Sequence, residues 1–124
     1  MAKQDEQRIM DYINFRLDLD LKLAKDEFSP FDAESSKFIF EFKVRNKFYG
    51  DLMLEESKVI KMLNIAKDTY RVPYFVQVNE GIYRVCQIVP EYNKRKFRAP
   101  RTTDFNDNNI VWKDFAIFNE FNIL

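Results

Sequence analysis

Phe31-Asp32-Ala33-Glu34-Ser35-Ser36-Lys37-Phe38-Ile39-Phe40-Glu41-Phe42-Lys43-Val44-Arg45 reads as a turn feeding a strand. From Lys37 to Arg45 the residues alternate strictly. Phe38, Phe40, Phe42 and Val44 point to one face, and Ile39, Glu41, Lys43 and Arg45 to the other. Aromatic and β-branched content of this kind suits a strand. Glu41 and Lys43 therefore lie side by side on one face. Glu34-Ser35-Ser36 has turn chemistry. With Phe28 to Ala33 as the partner strand of a hairpin, Asp32 returns beside Glu41. Two carboxylates and an ammonium then converge on one patch.

Two adjacent carboxylates make a hard, oxygen-only donor set, suited to Mg²⁺ or Mn²⁺ carrying phosphate oxygens and water. A lysine beside such a pair can orient or deprotonate water, or hold a phosphate. Asp32, a short gap, then Glu41-x-Lys43 on a strand resembles the PD-(D/E)XK nuclease superfamily, in particular its small phage- and prophage-type members. Phe31 stands where the family name places proline, a position that is loose in the family. The elements that follow match the family's core order of strand, strand, helix, strand. The resemblance covers roughly residues 6–118.

The resemblance implies roles residue by residue. Asp32, Glu41 and Lys43 would be catalytic. Asp32 and Glu41 would hold Mg²⁺ or Mn²⁺, with the backbone carbonyl of Phe42 as an extra ligand and Glu6, a helix-borne acid, as another. Lys43 would position the attacking water. Arg45, Lys58, Gln77 and the basic run Lys94, Arg95, Lys96, Arg98 and Arg101 would lie on the substrate side. The alternation alone permits a second reading, in which Asp32, Glu41, Lys43 and Arg45 form the wet face of an antiparallel hairpin with charges paired across strands.

Composition narrows the chemistry. With 124 residues and 13 Phe and 6 Tyr, one domain with a ring-rich core is expected over residues 1–124. There is no histidine. That removes His-based acid–base catalysis and ordinary zinc sites. The single Cys86 excludes an internal disulfide and fits a reducing cytoplasm; the resemblance to phage- and prophage-type nucleases implies a bacterial or phage-infected cell. No apolar run reaches membrane-spanning length, and the N-terminus lacks a signal-peptide pattern. Net charge is zero but uneven: residues 1–56 hold thirteen acids and nine bases, residues 57–124 seven acids and eleven bases. An acidic half and a basic half fit a metal end and a phosphate-binding end.

Along the chain, Gln4 to Phe15 is predicted as a helix, with Asp5 and Glu6 in its first turn. Leu17, Leu19, Leu21 and Leu23 alternate with polar residues, so Arg16 to Leu23 is predicted as the first strand of a three-stranded meander. Arg45 to Asp51 is a basic, aromatic loop. Leu54 to Thr69 follows helical spacing through Val59, Met62, Leu63 and Ala66, with Glu55 and Lys58 placed to pair. Tyr74 to Val78 and Ile82 to Val89 form a hairpin about Asn79-Glu80-Gly81. Asn93 to Arg101 is read as a basic loop, extended through Thr102 and Thr103, that would grip a nucleic-acid backbone. Asn106 to Asn109 is read as a turn and Ile110 to Phe118 as a last strand. The tail from Asn119 is left open.

The expected fold is α/β or α+β, a restriction-endonuclease-like core with one mixed sheet, an antiparallel meander and flanking helices. The expected activity is metal-dependent hydrolysis of DNA phosphodiester bonds, with RNA and homodimerisation left open and no membrane association. The alternative is a phage accessory protein of the same fold that binds nucleic acid or protein without catalysis. A third reading is an assembly subunit using its aromatic surface.

Overall fold

A computed structural model of the chain describes residues 3–26, 28–102 and 109–124. Its elements run α1 (Lys3–Leu17), β1 (Lys22–Leu23), β2 (Ala33–Glu34), β3 (Phe38–Val44), β4 (Leu52–Glu55), α2 (Glu56–Thr69), β5 (Val72–Asn79), β6 (Ile82–Gln87), β7 (Asn93–Pro100), β8 (Ile110–Phe118) and β9 (Asn122–Ile123). They form two sheets, not the single sheet expected. One has the order β1-β2-β3-β5-β6-β9, the other β4-β8-β7. In the larger sheet β3 and β5 are parallel, joined across by β4 and α2, and the neighbours on either side are antiparallel.

The alternation of β3 sets up both sides of this sheet. Phe40 and Phe42 pack with Ile9 and Ile13 of α1 and with Val76, Val78 and Val85. Ile39 faces the other way, into a cluster with Val59 and Met62 of α2, Phe75, and Leu52, Leu54 and Ala116 of the smaller sheet. Both faces of β3 are thus covered, as befits a strand with a parallel neighbour. The wet-face reading of Glu41 fails here, because Glu41 is only 3 % exposed.

The strand predicted over Arg16 to Leu23 is largely helix and turn. α1 continues to Leu17 and ends at Asp18, which takes a left-handed φ of 53°. Asn14 then holds Leu21 by both ends of its amide: Nδ2 donates to the Leu21 carbonyl (3.1 Å) and the Leu21 N–H donates to Oδ1 (2.9 Å). Only Lys22 and Leu23 pair as β1. The meander order itself holds, β1 to β2 to β3. The helix predicted from Leu54 begins two residues later, because Leu52 to Glu55 pair with Leu54's neighbours on β8. Asn93 to Pro100 is a strand, not a loop. The tail adds β9 to the edge of β6. The predicted turn at Asn106 to Asn109 falls mostly outside the described residues, as does Thr103.

Candidate active site

β2 is short, and its brevity makes the site. It pairs with β3 only at Ala33↔Phe40 and Glu34↔Ile39. Asp32 N–H still donates to the Phe40 carbonyl (2.8 Å). One step farther, where a longer β2 would supply a backbone partner, the Asp32 side chain supplies it: Phe42 N–H donates to Asp32 Oδ2 (2.8 Å). Strand geometry directs the Phe42 carbonyl to the same edge as its N–H. The carboxylate and that carbonyl therefore share the exposed end of the hairpin.

Glu41 comes in from the α2 side of the same strand. Burial pushes its carboxyl up to about 9, reinforced by a hydrogen bond to Asp32 and by the Asp32 charge, and opposed by Lys58 and Lys43. Lys58 reaches from the first turn of α2 and places Nζ 3.2 Å from Glu41 Oε2, while also donating to the Pro30 carbonyl (3.1 Å). Lys58 thereby ties α2 to the loop before β2 as well as to the acid. Lys43, two residues along β3, is exposed and faces the same side as Glu41. Asp32, Glu41 and Lys43 thus lie together, and Lys58 joins them through Glu41 instead of pairing with Glu55, whose partner is Lys113 (3.1 Å).

Other expected residues are placed differently. Among the described residues no group of three Asp, Glu or Cys side chains could hold a metal. Glu6 on α1 is accordingly not gathered with Asp32 and Glu41. Gln77, expected on the substrate side, is buried beside Lys43 in the β3–β5 register. Its Oε1 accepts from Met53 N–H (3.4 Å) and its Nε2 donates to Asn79 Oδ1 (3.0 Å). Arg45 also turns inward: Nη2 donates to the Met53 carbonyl (2.8 Å), and burial pushes its guanidinium pKa down, against the pull of Glu55. Lys94, Arg95 and Lys96 lie on the smaller sheet, in surface pairs with Glu56, Asp51 and Asp114. Arg98 lies farther along the same strand, and Arg101 lines a hollow with Ser57, Ile60 and Lys113.

The sequence reading missed Asn79, which it treated only as part of a turn. Its Nδ2 donates to the carbonyls of Arg45 (3.1 Å) and Lys47 (3.0 Å). It thereby sets the path of the loop that leaves Lys43. Arg84 was missed as well; its guanidinium lies 3.7 Å over the Phe48 ring of that loop. Nothing local in the chain marks these contacts, since each joins residues more than thirty positions apart.

The donor set fits a hard divalent cation. It offers two carboxylates in contact and a backbone carbonyl on the same edge, with no sulfur or imidazole.

Comparison with solved structures accords with this architecture. A Holliday junction resolvase, Hjc from the archaeal hyperthermophile Archaeoglobus fulgidus, superposes with a TM-score of 0.57 at 17 % identity, over 93 % of this chain and 87 % of that one. The fold is restriction-endonuclease-like. It is the fold of the PD-(D/E)XK nucleases that the Asp32–Glu41–Lys43 motif resembles. No protein-family model and no curated protein sequence matches the chain. Among the described residues no helix is long and apolar enough to cross a membrane.

Proposed function

We propose that this protein is a metal-dependent nuclease that hydrolyses phosphodiester bonds in DNA. The observation that carries the reading is the buried Glu41 carboxyl beside Asp32, whose Oδ2 accepts from Phe42 N–H at the end of a short hairpin, with Lys43 next on the same face. Asp32, Glu41 and the Phe42 carbonyl would hold Mg²⁺ or Mn²⁺. When bound, the cation would neutralise charge on the phosphorus under attack and acidify a water. Lys43 orients that water and stabilises charge developing on a phosphate oxygen. Lys58 keeps Glu41 in place. Asn79 and Gln77 hold the loop through which the substrate reaches Lys43, and Arg45 anchors it to β4. The cations of β7 attract the DNA backbone.

The test is cleavage of labelled duplex, single-stranded, forked and four-way-junction DNA with Mn²⁺ and Mg²⁺. The junction belongs in the panel because the structural relative is a Holliday junction resolvase. Lys43→Ala should lower the rate by on the order of 10²–10⁴-fold, the usual contribution of a positioned acid–base group, with the melting temperature unchanged. Unaltered cleavage in Lys43→Ala would sink the assignment.

One observation favours a second reading, a binding module of the same fold. Lys58 already occupies Glu41 Oε2 at 3.2 Å. On that reading the charge cluster is structural, and the protein binds DNA without cutting it.

A further inference from the structure

β7 and β8 pair along their length, from Asn93↔Ile117 to Pro100↔Ile110. β4 backs β8 only at Phe115 to Phe118. Beyond Lys96 and Asp114 the described part of this sheet is therefore a two-stranded ribbon with no third strand, flanked on the α2 side by the hollow that Lys113 and Arg101 line.

Its two faces differ. On one, Phe97 packs edge-on against Phe115 at 5.5 Å. The other face begins in the core at Ala116, reaches the first turn of α2 at Asp114, and then overhangs solvent at Trp112. Trp112 is 65 % exposed and sits directly opposite Arg98. Among the described residues, neither side chain makes a hydrogen bond, ion pair or ring contact. Lys96 stands next to Arg98 on this face, 3.3 Å from Asp114 in a pair exposed enough to open at little cost. An indole face left in water beside two cations is a stacking platform with its own phosphate contacts. Single-stranded nucleic acid is held by that combination.

We propose that the β7–β8 ribbon is a nucleic-acid arm, on which Trp112 stacks an unpaired base while Arg98 and Lys96 take the adjoining phosphates. The choice of DNA rests on the nuclease reading above; the choice of unpaired over paired bases rests on the ribbon itself. A duplex hides the faces of its bases, whereas a single strand or the centre of a branch exposes them.

Trp112 is the only tryptophan in the chain, so its fluorescence reports on the ribbon alone. The experiment titrates the full chain, in EDTA, with a single strand and with a duplex of the same length, following tryptophan emission and the anisotropy of labelled DNA. The single strand should quench the emission more strongly than the duplex. Trp112→Ala should weaken single-strand binding on the order of tenfold, within the range for loss of one stacked base, and Trp112→Phe should restore part of it. Arg98→Ala should lower the slope of log affinity against log salt by about 0.7. DNA binding that leaves the emission unchanged, or that is as tight in Trp112→Ala, overturns the arm. So does a chain that binds no DNA. Cleavage by the wild type without quenching refutes the arm and leaves the nuclease intact. Quenching by a chain that cuts nothing refutes the nuclease and leaves the arm.

Discussion

The two sheets handle charge in opposite ways. In the six-stranded sheet Glu41, Gln77 and Asn79 are buried, and each is tied to named partners: Lys58 and Asp32 for the acid, Met53 and the Arg45–Lys47 loop for the amides. In the three-stranded sheet the ions of β7 are exposed and paired loosely, at 3.3 to 3.7 Å. Buried polar groups must be satisfied, so they set one geometry and keep it. Exposed pairs exchange readily for other partners. The first sheet fixes its polar groups in one geometry, and the second leaves its charges free to exchange partners.

Changes that strike each sheet should separate this contrast. The largest effect on stability belongs to the first. Phe40→Ala removes a ring that is 1 % exposed and packed on α1. It should cost about 3–5 kcal/mol in urea unfolding.

A smaller effect follows from Glu41. Its folded pKa is raised from 4.5 to about 9, burial being the main cause, so the folded state holds a proton that the unfolded chain releases. The contribution is present in full below pH 4.5 and is lost as the pH rises towards 9. Metal-free stability should therefore fall across that window, by up to about 1.4 kcal/mol per pH unit for one proton. Glu41→Gln should flatten the slope in urea titrations at a series of pH values. A slope unchanged in that variant would mean that Glu41 does not titrate as its surroundings require.

The smallest effect belongs to the second sheet. Lys96→Gln removes an exposed partner of Asp114 and should shift unfolding by no more than about 0.5 kcal/mol. A loss of several kcal/mol would erase the distinction between the two regions.

The same contrast explains what could be read from the chain. The site was legible because its logic is local. Period two places Glu41 and Lys43 on one face, and a hairpin turn returns Asp32 to Glu41. Lys58 came only through the family motif. The end of α1 was misread because the four leucines from Leu17 to Leu23 alternate by coincidence with a helix terminus, where Asp18 turns left-handed and Asn14 clamps Leu21. β7 reads as a loop in the sequence because an edge strand facing solvent carries no apolar alternation beyond Phe97 and Ala99. The sequence merges β4 with α2 because Leu54 continues the helical stripe; its pairing with β8, sixty or more residues away, has no local signature.

Calorimetric titration of the folded protein with Mn²⁺, in buffers of different ionisation enthalpy, tests most directly whether the Asp32–Glu41 pair is a cation site. The predicted result is one ion bound per chain with release of the proton on the pair, and loss of that binding in Asp32→Asn. No binding by the wild type, or equal binding by Asp32→Asn and Glu41→Gln, would contradict it.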